Sequence, residues 1–144
     1  MLQISREDVA KVADLGLSRD INIDQGMTLM AGTPKWEAPE VLTGKRKDNK
    51  SRYSKEADVY SYGMLLYEMV SCKQPFEDVH DIFELKKLVC DKNKRPKLPA
   101  HCPKPLAALI KRCWKGDATK RPSFTEILTE LKAMKDKVVV MTRS

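Results

Sequence analysis

Metal binding, carboxylate chemistry and charge neutralisation are the kinds of work that residue types in this 144-residue sequence suggest. Four cysteines, Cys72, Cys90, Cys102 and Cys113, could ligate zinc as thiolates. No two of them form a Cys-x-x-Cys pair, however, and His80 and His101 complete no ligand array with them. Free thiols packed as small apolar side chains in a reducing compartment fit the spacing better. Two carboxylates stand out by context. Asp14 follows the run Val9-Ala10-Lys11-Val12-Ala13 and precedes Leu15-Gly16, where an aspartate can accept backbone N–H bonds in a turn. Asp58 interrupts an otherwise apolar helical stretch, and a buried carboxylate is costly unless donors meet it. Basic residues bunch at Lys45-Arg46-Lys47, Lys50 and Arg52, and again at Lys92, Lys94, Arg95 and Lys97. Such clusters can dock phosphate, acidic protein or nucleic acid. No aromatic residues interleave with the first cluster to stack bases, and no helix-turn-helix or RNA-binding signature is present. The clusters are therefore expected to be solvated loops, with no nucleic-acid partner.

The elements that must position these groups are mostly helical. Val9 to Ala13 reads as a short strand closing in a turn, with Met1 to Ile4 as its hairpin partner. From Leu17 to Thr33 neither period is sustained and Asp, Asn, Gly, Ser and Thr recur, giving a loop long enough to suggest function. Ser54 is a good N-cap for a helix over Lys55 to Val70 that is apolar or small on every side, the expected centre of the fold. Asp78 is placed to cap a helix with Ile82, Leu85, Leu88 and Val89 inward, ending near Asn93, after which Pro96, Pro99 and Pro103 keep the chain extended. Pro105 suits the first position of a helix carrying Leu106, Leu109, Ile110 and Cys113, which Gly116 would stop. Ser123-Phe124-Thr125-Glu126 matches a capping box for a last helix with Ile127, Leu128, Leu131 and Met134 buried. Residues 137–144 read as a tail.

Hydrophobic content of 42% and charged content of 33% suit one globular domain, and the length can bury a core. No stretch approaches the roughly 20 apolar residues of a membrane span, and the N-terminus lacks the run of a signal peptide. An intracellular protein is expected, cytoplasmic or nuclear, despite a net charge of +7.

Asp14-Leu15-Gly16 after a strand and Ala38-Pro39-Glu40 beyond an aperiodic loop stand in the order and spacing of two motifs that bracket a protein-kinase activation segment. Gly32-Thr33-Pro34-Lys35-Trp36, Asp58-Val59-Tyr60-Ser61-Tyr62-Gly63 and Arg121-Pro122 extend the match over nearly the whole chain. The sequence resembles the C-terminal part of a eukaryotic protein kinase domain, residues 1–136. The mixed signature is similar to the tyrosine-kinase-like group, implying serine/threonine specificity. The resemblance implies a mainly α fold, the helical C-lobe with a short β-hairpin at the N-terminus. It implies that Asp14 is a ligand of the magnesium that holds ATP's phosphates. It further implies that Glu40 and Arg121 form a buried ion pair, and that Asp58 accepts hydrogen bonds from the catalytic-loop backbone. Thr33 would help position a serine or threonine substrate. Glu37 replaces a more usual apolar residue, and an acid there would favour a basic or polar residue beside the target hydroxyl. Ser18, Thr28 and Thr33 are candidates for an activating phosphate. Leu15 stands where phenylalanine is more frequent.

The Gly-rich loop, the strand lysine with its helix glutamate, and the His-Arg-Asp loop with its catalytic base and second metal ligand are not in these residues and would lie before Met1. The chain therefore carries no catalytic residue of its own. Alone it is expected neither to hold ATP and magnesium tightly nor to transfer phosphate to a protein substrate. The alternative to part of an active kinase is a pseudokinase-like interaction module.

Overall fold

The structure, a computed structural model, describes residues 2–4, 10–12, 34–44 and 54–142, with side chains described for 34–44 and 54–136. The chain divides into two units, Met1–Gly32 and Thr33–Ser144. In the first, strands β1 (Leu2–Ile4) and β2 (Ala10–Val12) pair antiparallel, with Leu2 opposite Val12 and Ile4 opposite Ala10. Residues 5–9, which would connect them as the expected hairpin, lie outside the described residues.

The second unit is helical: α1 (Pro39–Thr43), α2 (Lys55–Ser71), α3 (Ile82–Lys86), α4 (Lys104–Cys113) and α5 (Phe124–Thr142). Short 3-10 turns occupy Pro34–Trp36 and Ala118–Lys120, and a π-helical turn occupies Lys87–Asp91. Helix α2 is its centre. The Ser54 hydroxyl accepts from the Ala57 N–H at 3.3 Å, and Cys72 in the left-handed region (φ 54°) ends the helix. Between them Ala57, Val59, Tyr60, Gly63, Met64, Leu66 and Tyr67 are buried. Helix α4 reaches α2 at Gly63, where an added Cβ would lie 2.8 Å from the Cys113 Cβ and 3.3 Å from the Trp114 nitrogen. Only a residue without a side chain permits that approach.

Four sequence expectations are corrected. The cap of α3 is Asp81, whose carboxylate accepts from the Glu84 N–H at 2.8 Å, and not Asp78. The helix begins later than the sequence suggests and widens into the π turn, where the Lys92 N–H reaches back five residues to the Lys87 carbonyl. Helix α4 ends at Cys113, before Gly116: the Trp114 N–H makes the last α-helical bond, to the Ile110 carbonyl at 3.1 Å, and the Lys115 N–H turns to the Arg112 carbonyl at 3.4 Å. On α5 the capping box forms, with Ser123 and Glu126 exchanging hydrogen bonds, but Leu128 is 53% exposed. The buried face is the narrower stripe Ile127, Leu131 and Met134, from which Leu128 is rotated by about one residue's turn. Residues read as a tail continue α5 to Thr142. Among the described residues no helix is long and apolar enough to cross a membrane.

Candidate functional site

Residues 34–40 are tied to α2 at Trp36 and to the chain beyond it on either side. Pro34 opens a 3-10 turn that the Glu37 N–H closes on the Pro34 carbonyl at 3.1 Å. The Trp36 indole N–H donates to Glu68 of α2 at 3.1 Å, and the Ser61 hydroxyl donates to the Trp36 carbonyl at 2.9 Å. Lys35 reaches the Glu77 carbonyl at 3.4 Å. Ala38 is fully buried, and Pro39, which needs no N–H partner, starts α1. Glu40 then falls in the first turn, where the helix dipole favours a negative charge.

Behind the segment lies a buried guanidinium. Arg121 meets Glu40 through two bonds, Nη1 to Oε1 at 2.7 Å and Nη2 to Oε2 at 2.9 Å. Its other donors go to the carbonyls of Lys115 (2.8 Å), Glu56 (2.8 Å) and Gly116 (3.3 Å). Arginine has five N–H donors, and all five are used. The Arg121 side chain is wholly inaccessible and that of Glu40 is 11% exposed. A pair this buried is tolerable because its geometry is bidentate and the remaining protons are met.

The structure adds a partner that sequence reasoning missed. Tyr60 lies between two guanidinium groups, Arg121 at 5.0 Å and Arg95 at 5.1 Å from its ring centroid. Arg95 donates to the carbonyls of Trp114 (2.7 Å), Lys94 (2.6 Å) and Val89 (3.3 Å). Burial holds its pKa below the ordinary arginine range and pushes the Tyr60 phenol far above the usual one. Among the described residues, Arg95 Nη2 and the Tyr60 hydroxyl have no partner. The signal was available: an arginine among lysines, next to Pro96, suits a planar multi-donor site that lysine could not fill.

The site residues read from the sequence are placed as follows. Glu40 and Arg121 are brought together. Glu37 is half-buried three residues from Glu40; burial raises its carboxyl pKa, offset in part by the Lys86 ammonium of α3. Asp58 is not buried as the sequence suggests. It lies on the exposed side of the first turn of α2, where partial desolvation still raises its pKa, and among the described residues no donor meets its carboxylate. Asp14, Ser18, Thr28 and Thr33 lie outside the described residues. No group of three or more His, Cys, Asp or Glu side chains among the described residues could hold a metal ion. The described arrangement can hold a short segment rigidly and present a carboxylate from it, which is a means of positioning.

A family profile described as "Protein tyrosine and serine/threonine kinase" matches residues 2–131. The chain is 41% identical over 128 residues to a probable serine/threonine-protein kinase of Dictyostelium discoideum, covering 89% of this chain and 8% of that protein. It is 38% identical over 125 residues to the dual specificity protein kinase shkA of the same organism, covering 84% of the chain and 23% of the relative. A putative serine/threonine-protein kinase/receptor of Acanthamoeba polyphaga mimivirus is 38% identical over 121 residues, 84% of the chain and 7% of that protein. The chain thus spans less than a quarter of the length of each.

Proposed function

The chain belongs to the protein tyrosine and serine/threonine kinase family, and from that premise we propose that it is the substrate-facing part of a kinase that transfers the γ-phosphate of ATP to serine or threonine hydroxyls of proteins. The observation that carries this is the anchor of residues 34–40: a bidentate Glu40–Arg121 pair behind, and Trp36 bonded to Glu68 in front. A segment so fixed can hold a peptide in one register, and phosphoryl transfer depends chiefly on positioning and charge neutralisation.

In this reading Asp14 is a magnesium ligand, Thr33 positions the target hydroxyl, and Glu37 favours a basic or polar residue beside it. Asp58 accepts hydrogen bonds from the catalytic-loop backbone, which its present exposure leaves room for. Ser18, Thr28 or Thr33 receives the activating phosphate. Magnesium, held with ATP, neutralises charge on the phosphate oxygens. One carboxylate cannot hold it alone, since such sites combine protein carboxylates with phosphates and waters; ATP and magnesium are thus bound only in the complete enzyme. The four free thiols, two of them buried, support an intracellular setting.

The test is a chimera in which this chain replaces the matching segment of one of its kinase relatives. Phosphotransfer from labelled ATP to a serine/threonine peptide array is expected from the chimera, lost on Asp14→Ala, and absent from the 144-residue chain alone. An array preference for a large apolar residue beside the target hydroxyl overturns the role of Glu37, and a folded chimera without transfer overturns the enzyme reading.

A further inference from the structure

Helix α3 and the π turn after it leave a stripe of exposed side chains that the 34–40 segment does not use. Phe83 is 77% exposed, the most exposed of the large apolar side chains, against 65% for Met69, 53% for Leu128 and 45% for Phe124. A single exposed apolar residue is ordinary. Its neighbours are what make this one informative. The Lys87 N–H closes on the Phe83 carbonyl, so Lys87 stands one turn beyond Phe83 on the same side. The π-helical turn then closes with the Lys92 N–H on the Lys87 carbonyl at 3.0 Å. In an unbroken α-helix Asp91 would follow Lys87 and offset its charge. The extra residue of the π turn brings Lys92 into that place.

Lys87, Lys92, Lys94 and Lys97 are all exposed, and no ion pair among the described residues engages them. Over residues 83–97 six basic residues face two acids, Glu84 and Asp91; Arg95 is spent internally and Lys86 faces Glu37, which leaves the four exposed lysines. An apolar side chain at one end of an unpaired cationic row fits a ligand with the opposite pattern. We propose that the Phe83–Lys87–Lys92 stripe docks an acidic segment of the protein substrate, with an apolar side chain of that segment against Phe83 and its carboxylates along the lysines. The proposal rests on the kinase reading for the identity of the partner, and its physical content is the recognition itself. A cationic row alone would take any polyanion, whereas Phe83 gives preference to a chain that alternates charge with apolar surface.

The test is fluorescence anisotropy on the 144-residue chain with a labelled ten-residue peptide of glutamates around one central leucine. Binding that weakens with added salt is expected. Lys87→Glu with Lys92→Glu is expected to weaken it about tenfold, and Phe83→Ala about as much, the substitutions being on exposed side chains that leave the circular dichroism unchanged. Two results overturn the proposal: peptide binding indifferent to Phe83→Ala, or a labelled ten-nucleotide oligouridine that binds as tightly through the same lysines. Neither ATP nor phosphotransfer enters this measurement, so its failure is distinct from the failure of the chimera.

Discussion

Two glutamates three residues apart receive opposite treatment. Glu40 is met by both arms of Arg121 and by the start of α1, so its charge is removed from water only after being matched. Glu37 is half-buried with the Lys86 field as its main offset, and burial is the largest influence on its carboxyl. The first arrangement fixes the segment to the helical core, and the second leaves an incompletely satisfied acid, which the proposed reading sets beside the substrate. A charge held for stability is paired, while a half-buried one without a bonded partner stays open to one.

Breaking the matched side carries the largest effect. Arg121→Met strands the Glu40 carboxylate and is expected to lower stability by about 3–5 kcal/mol in urea denaturation. Adding Glu40→Leu is expected to restore much of that, because the loss comes chiefly from the stranded charge. If the double variant is as unstable as the single one, the pairing is not what distinguishes Glu40. Arg95→Met tests the other guanidinium beside Tyr60. No carboxylate is bonded to Arg95 and its Nη2 is unpartnered, so what is lost is its carbonyl bonds and its contact over the Tyr60 ring. A loss of about 1–3 kcal/mol is expected by the same measurement, and a loss equal to that of Arg121→Met sinks the ranking. Smaller still, Tyr60→Phe removes a buried hydroxyl with no partner and keeps the ring between both guanidinium groups. It is expected to change stability by no more than about 1 kcal/mol, toward greater stability.

How much of this was legible follows from which interactions are local. Ser54 and the Ser123–Glu126 box are readable because a cap and its partner lie within four residues, and the all-round apolar pattern marks α2 as central. Asp78 and Asp81 both precede the apolar run, and the cap is the one whose carboxylate reaches the Glu84 N–H three residues on. The π turn leaves no pattern in the residue types, which is why the stripe from Phe83 to Lys92 was invisible. In the sequence Arg95 reads with its solvated lysine neighbours, because the Trp114 carbonyl is distant in the chain and adjacent only in the fold. Pairing Glu40 with Arg121 required the family resemblance, since nothing local connects them.

The least disruptive test addresses Glu37 through pH. Its pKa is higher in the folded state than in the unfolded chain, so the folded state binds more protons in that range and stability falls as pH rises. The contribution is fully present below the unfolded glutamate value, about 4.3, and is lost as pH climbs through the folded value. Glu37→Gln cannot ionise, so the difference in stability between variant and parent is expected to move in the variant's favour across that window and then level off. Lys86→Gln in the parent is expected to deepen the fall, because the ammonium opposes the effect of burial. Urea midpoints at a series of pH values from 4 to 7 read both. Parallel curves for Glu37→Gln and parent would mean that burial costs Glu37 nothing, and the contrast with Glu40 would collapse into a difference of position alone. A growing gap would mean that the fold carries this carboxylate at a loss, which is the condition for a basic residue on a passing peptide to be bound by relieving it.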